Sequence, residues 1–231
     1  MAAPPLPLFG PAHLVGIVGP VLVGAALALL LRRGHGPRVE LAVRVGLAVF
    51  LIAMTALHVH WLIEYRNTAV WHFIPLHLCD LAIFVSLFGL ASKRRILAEV
   101  LYFWTCSGTF LAMVLPNTDA GFPELRYFIY FGLHGGVVAT AIVLVYGLRL
   151  YPDRRSPLRV FAVTLGYTAC VAVVDLVWDQ NYLFLDHKPP QKTLLDYMGP
   201  WPIYIIFGLS LGLGIFYLLN LPFRRREPPE A

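Results

Sequence analysis

A long apolar stretch without a formal charge lies near the start of the sequence. Residues 13–31 read HLVGIVGPVLVGAALALLL, and two arginines, Arg32 and Arg33, follow directly. A helix needs about 20 mostly apolar residues to cross the hydrocarbon core of a bilayer. The stretch therefore predicts a transmembrane helix that ends at a basic membrane surface.

The same pattern recurs along the rest of the chain. Of the 231 residues, 58% are hydrophobic and 13% are charged, whereas soluble domains carry about 25% charged residues. The sequence predicts an all-α fold, a polytopic membrane bundle of seven transmembrane helices that forms a single domain over residues 1–231. The predicted spans cover residues 13–31, 39–63, 72–91, 96–115, 127–148, 158–178 and 201–220.

The basic residues predict the orientation of this bundle. The net charge is +5, which on a soluble protein would suggest nucleic-acid binding. Here fourteen of the 18 Lys and Arg residues lie in or beside the loops that follow the first, third, fifth and seventh spans. Cytoplasmic loops carry the excess of Lys and Arg, so the N-terminus is expected outside and the C-terminus inside. We expect a multi-pass protein of the cell membrane with membrane lipids as partners, no nucleic-acid partner and no cofactor.

Polar residues concentrate at the opposite, outer side, most of all at the start of the third span. Residues 71–80 read WHFIPLHLCD. If Pro75 sits in the first helical turn, then His77, Cys79 and Asp80 lie one to two turns into the membrane. His77 and Asp80 are then i, i+3 neighbours on one helix face. They are either a pair that holds helices together or part of a functional site.

His134 in the fifth span is the second polar feature. It lies about seven residues from the start of its span, as Cys79 does, which places both about 10 Å deep. Ionisable groups at that depth usually face a bundle interior or a water-filled cavity. The candidate catalytic residues are therefore His134, Cys79, His77 and Asp80, although Cys79 also fits a small buried hydrophobe. Asn117, Arg126 and Asn181 are candidates for binding a polar head group or, alternatively, for capping helices and closing turns. Asp175, near the outer end of the sixth span, is a further candidate for substrate binding.

Two pairs of glycines have the spacing of closely packed membrane helices. They are Gly132 with Gly136 in the fifth span and Gly208 with Gly212 in the seventh. Small residues four positions apart let helix backbones approach closely. Both pairs therefore predict close helix packing.

Several motifs resemble the YwaF-like family of bacterial integral membrane proteins over roughly residues 70–205. The matching stretches include PLHLC at residues 75–79, NYLFL at 181–185 and LDYMGPWP at 195–202. This family is distantly similar to the transmembrane protein 164 group, which is associated with acyl transfer to ether phospholipids by a cysteine and a histidine. The resemblance implies that His134 is that histidine. In the group the cysteine directly follows the proline, whereas here Cys79 lies one turn further along.

Three functions remain open from the sequence. The first is a lipid acyltransferase-like enzyme with Cys79 as nucleophile and His134 as base. The second is a transporter or small-molecule-binding protein that uses the His and Asp side chains. The third is a metal-dependent membrane hydrolase, although His58 and His60 point apart on a helix and no metal site is predicted. The histidines available as ligands would be His58, His60, His72, His77 and His134.

Overall fold

The computed structural model describes residues 6–34, 36–66, 74–116, 121–189 and 193–224. Over these residues the chain is helical and contains no strand. The helices are α1 (Pro11–Arg32), α2 (Gly36–Arg66), α3 (Leu78–Ser92), α4 (Arg95–Trp104), α5 (Phe110–Val114), α6 (Leu125–Ile142), α7 (Ser156–Trp178) and α8 (Ile203–Leu219). A π-helical turn, Thr105–Thr109, joins α4 to α5, and a second one, Val143–Gly147, continues α6.

Six helical segments are long and apolar enough to cross a membrane. They are Pro11–Arg32, Gly36–Glu64, Arg95–Val114, Leu125–Gly147, Ser156–Trp178 and Ile203–Phe223. Six of the seven predicted spans are therefore confirmed in length and composition.

The predicted third span, residues 72–91, differs from the structure at its start. Helix α3 has only 15 residues, about 22 Å of helix against a hydrocarbon core of about 30 Å. Residues 74–77 are not helical, so the expectation that Pro75 sits inside the first turn is wrong. A proline disfavours helical geometry in the residue before it, which agrees with the non-helical Ile74. The helix begins at Leu78, three residues after Pro75.

The chain divides into two compact units. Unit 1 comprises Met1–Pro75 and Cys79–Tyr151, and unit 2 comprises Leu76–Leu78 and Pro152–Ala231. In unit 1, helix α6 is the central element, and α1, α2, α4 and α5 pack against it. In unit 2, α7 packs against α8 and against the short 3₁₀ helix Tyr182–Phe184.

Glycines on α6 allow the close packing of unit 1. A Cβ atom on Gly132 would lie 2.8 Å from Met54 Sδ, and one on Gly136 would lie 2.7 Å from Leu51 Cδ2. The predicted packing of this glycine pair is confirmed, and its partner is α2.

The second glycine pair behaves differently. Among the described residues, no atom lies within 4 Å of a Cβ placed on Gly208 or Gly212. The prediction of close packing at this pair is therefore wrong, because the small-residue face of α8 has no neighbour here.

Unit 2 is held together at Asp153, before the start of α7. Its carboxylate accepts a hydrogen bond from Arg159 Nη2 at 2.9 Å, and its carbonyl accepts one from Asn220 Nδ2 at 2.9 Å. The Tyr167 hydroxyl donates to the carbonyl of Leu76 at 2.7 Å, which ties the segment Leu76–Leu78 to α7. These bonds join the segment Leu76–Leu78 to α7 and join Asn220, which follows α8, to the residue Asp153 before α7.

Candidate functional site

The first turn of α3 carries two of the predicted site residues. Cys79 and Asp80 are its second and third residues. The Cys79 thiol shares a hydrogen bond with the hydroxyl of Thr109, the last residue of the π-helical turn. Thr109 is buried, and turns of this kind are frequent at functional sites. The π turn therefore brings a polar group to the thiol from the middle of an otherwise apolar helix.

Asp80 on α3 lies within electrostatic range of a histidine on α2 and of another on α6. Its carboxylate interacts electrostatically with both His58 on α2 and His134 on α6. We call these three residues the Asp80 cluster. A carboxylate near an imidazole stabilises the protonated form of the ring.

The orientation of the His134 ring is set by Tyr130, one turn earlier on α6. His134 Nδ1 lies 2.8 Å from the Tyr130 carbonyl oxygen, and the two rings stack with centroids 4.3 Å apart. A carbonyl oxygen only accepts, so Nδ1 carries the proton of the neutral ring. Nε2 then keeps its lone pair and is the atom that can act as a base.

Arg126 lies beside this cluster, as a residue of the first turn of α6. Its guanidinium group lies 5.2 Å from the centre of the Trp61 ring, in a cation–π geometry, and it interacts electrostatically with His58. Arg126 therefore places a positive charge near His58 of the Asp80 cluster.

His77 belongs to a different environment. It precedes α3, lies in unit 2, and its ring is 5.5 Å from the ring of Tyr182 and 6.0 Å from that of Phe184. It interacts electrostatically with Asp175. The expected helical i, i+3 relation of His77 to Asp80 is therefore wrong, because the helix begins after His77.

The remaining predicted head-group residues are placed as follows. Asp175 is buried, and its Oδ1 accepts a hydrogen bond from the Tyr182 backbone N–H at 2.9 Å. Asn181 Nδ2 donates to the His187 carbonyl at 2.8 Å, and its Oδ1 accepts from the Asp186 N–H at 3.0 Å. Asn181 thus closes a loop, which was the alternative considered for it. Asn117 lies outside the described residues.

Two residues of the site were not selected from the sequence. The sequence suggests His58 only as a metal ligand and predicts no role for Thr109. The signal for Thr109 is the polar run TCSGT at residues 105–109 inside an apolar span. In the described part of the chain, no three His, Cys, Asp or Glu side chains lie where they could hold a metal ion; His72 is outside that part.

Comparison with known proteins gives one family match and one bacterial relative. An uncharacterized protein of Treponema pallidum (strain Nichols) is 25% identical over 186 residues, which cover 78% of this chain and 74% of that protein. No solved structure matches the chain. The TMEM164 family matches residues 8–220. This range includes the first five candidate membrane-spanning helices completely and the sixth, Ile203–Phe223, up to residue 220. This match confirms the resemblance to the transmembrane protein 164 group, and the chain belongs to the TMEM164 family.

Proposed function

We propose that this protein is a membrane-embedded, acyltransferase-like enzyme that acts on phospholipids. Cys79 is the nucleophile, His134 is the base, and Asp80 stabilises the charged imidazole. The observation that supports the proposal is the electrostatic interaction of Asp80 with His134 and His58, together with the hydrogen bond between Thr109 and the thiol of Cys79, the residue before Asp80. Acyl transfer by covalent catalysis uses a nucleophile, a general base and a carboxylate that stabilises the protonated base.

The first half of the reaction forms a thioester. His134 Nε2 takes the proton of the Cys79 thiol, and the sulfur attacks the carbonyl carbon of a phospholipid ester. The tetrahedral intermediate collapses with cleavage of the ester C–O bond, and the imidazolium returns the proton to the leaving oxygen. The products are a lysophospholipid and an acyl group on Cys79.

The second half transfers the acyl group to an acceptor. The hydroxyl of a second lysophospholipid loses its proton to His134, and its oxygen attacks the thioester. The C–S bond breaks, and the sulfur regains the proton from the imidazolium. The sequence of steps consumes no oxidant or reductant, and Asp80 stabilises the imidazolium in both halves.

Substitution of the two thiols in unit 1 tests this function. Cys79→Ala should abolish transfer of labelled acyl chains from phospholipid to lysophospholipid by the purified protein. Cys106→Ala is the matched control, because Cys106 is also a free, half-buried thiol of unit 1. His134→Gln should lower the rate by about 10²–10⁴-fold, the usual contribution of a general base. Full activity of Cys79→Ala would overturn the proposal.

The residues of the Asp80 cluster favour a second candidate function, that of a proton-coupled transporter. A carboxylate with two histidines inside a membrane bundle is typical of proton relays, and acyl transfer alone does not require His58. In that case His58→Gln would abolish ligand uptake into proteoliposomes, while labelled phospholipid would remain unchanged.

We further propose a topology of seven spans in the cell membrane. The span added to the six long helices is α3, the third along the chain. An odd number of spans places the two termini on opposite sides, with the N-terminus outside and the C-terminus inside. The loops with excess Lys and Arg support this orientation. We also assign the chain to a YwaF-like branch of its family, on the motifs quoted above.

A further inference from the structure

A cavity of about 410 Å³ lies at the end of unit 1 away from the Asp80 cluster. Along α2, Glu40 at this cavity precedes His58 by 18 residues, which corresponds to about 27 Å of helix. The cavity is lined by residues from the end of α1, the start of α2, the position after α3 and the end of the second π turn: Leu31, Gly36, Glu40, Lys93, Gly147, Leu148, Arg149 and Leu150. It is therefore separate from the proposed active site.

The side chains around this cavity carry more positive than negative charge, which favours the binding of an anion. Glu40 Oε1 lies 3.3 Å from Arg44 Nη1 and 3.1 Å from Lys93 Nζ, so two cations compensate its single negative charge. Arg149 also lines the cavity, is exposed, and has no hydrogen bond or ion pair with any described residue. The cavity therefore presents a guanidinium group for which the described chain supplies no counter-charge.

The backbone at both cavity cations is unusual. Lys93 has φ of 53° and Arg149 has φ of 60°, in the left-handed region. Glycine or asparagine normally occupies such positions at helix ends, since other side chains are strained there. Two long cationic side chains therefore lie at backbone positions where glycine would be less strained.

An apolar groove of about 480 Å³ lies between α1 and α2, the helices that also contribute to the cavity. Leu30 and Val39 in the groove are the chain neighbours of Leu31 and Glu40 in the cavity. The groove is lined by Leu27, Leu30, Arg38, Val39, Ala42, Val43, Gly46 and Leu47. Arg38 is its one charged residue, and no described atom lies within 4 Å of a Cβ placed on Gly46. The groove therefore offers an open, apolar channel with a cation at one end.

We propose that this end of unit 1 binds an anionic phospholipid. Its phosphate lies between Lys93 and Arg149, one acyl chain follows the α1–α2 groove, and Arg38 lies where the polar and apolar parts meet. Basic pockets between membrane helices recognise anionic head groups in this way. A lipid fits better than free phosphate, because only a lipid uses both the cavity and the groove. The site is independent of the proposed acyl transfer.

Lipid binding to the purified full chain in phosphatidylcholine nanodiscs tests the proposal. Phosphatidylglycerol is added in rising proportion, and bound lipid is counted by native mass spectrometry. We expect the affinity for phosphatidylglycerol to fall about fivefold in Arg149→Gly and further in the variant that also carries Lys93→Gly. Arg94→Gln is the matched control, since Arg94 is an exposed neighbouring cation that does not line the cavity.

Two further measurements separate binding from folding and lipid from free phosphate. Glycine relieves the left-handed strain, so Arg149→Gly should unfold at the same temperature as the wild type or higher. Gly46→Leu should fill the groove and weaken phosphatidylglycerol binding. Unchanged phosphatidylglycerol binding in the glycine variants would overturn the proposal, as would equal binding of phosphatidylcholine. Inorganic phosphate that binds as tightly as phosphatidylglycerol would identify a free-phosphate site instead.

Discussion

The contact of α1 with α6 at Gly24 gives a sharp prediction about stability. A Cβ atom on Gly24 would lie 2.9 Å from Ala139 Cα and 3.1 Å from Ile142 Cδ1. Because Ala139 Cα is a backbone atom, no side-chain rotation can relieve the first contact. Gly24→Ala must therefore move the two helices apart.

The size of the effect follows from two opposing contributions. Replacing glycine by alanine inside a helix is worth up to about 1 kcal/mol in favour of the folded state. Inserting an extra methyl group into a tightly packed contact costs about 1–3 kcal/mol. Gly46→Ala in α2 is the control, because no described atom lies within 4 Å of its added Cβ. The difference in free energy of unfolding between the variants should therefore be about 1–3 kcal/mol.

The assay is reversible unfolding of the purified protein in mixed micelles with rising mole fraction of sodium dodecyl sulfate. Circular dichroism at each mole fraction gives the free energy of unfolding of each variant. We expect Gly24→Ala to be less stable than Gly46→Ala by the stated amount. Equal stabilities would show that α1 and α6 are not in backbone contact at Gly24.

Three further variants test particular bonds. Arg44→Gln should lower the free energy of unfolding by about 1.5–3 kcal/mol in the same assay, since Arg44 Nε and Nη2 donate to two carbonyls near the end of α3; no change would refute this. Arg95→Gln should cost about 3 kcal/mol, because the fully buried Glu99 accepts from Arg95 Nε at 2.9 Å, and a loss as small as that of an exposed arginine would contradict it. Asn181→Ala should speed proteolytic cleavage in the loop up to His187, and unchanged cleavage would contradict its loop-closing role.

The fold was largely predictable because uncharged apolar runs of about 20 residues have few alternatives to a membrane helix. The predicted start of the third span was wrong, because Pro75 precedes the helix instead of lying inside it. Glycine spacing was informative only in part: it identifies a smooth helix face, but the presence of a partner depends on tertiary packing. Gly132 has such a partner in α2, whereas Gly208 has none among the described residues.

The candidate site was harder to predict than the spans. The similar depth of Cys79 and His134 in their spans predicts that α3 and α6 carry the site, and their joint role stays a prediction. His77 was grouped with Asp80 only because a continuous helix was assumed. Thr109 reaches Cys79 through a π turn, and a change of helical register of this kind leaves little trace in hydropathy.

The site of covalent acylation tests the central proposal most directly. The purified protein is incubated with phospholipid in the absence of an acceptor, and its peptides are analysed by mass spectrometry. The proposal predicts one acyl chain on the Cys79 peptide that neutral hydroxylamine removes, that His134→Gln prevents and that Cys106→Ala leaves unchanged. Acyl transfer that proceeds with no acyl group on Cys79, or with the acyl group on Cys106 or Cys170, would contradict it.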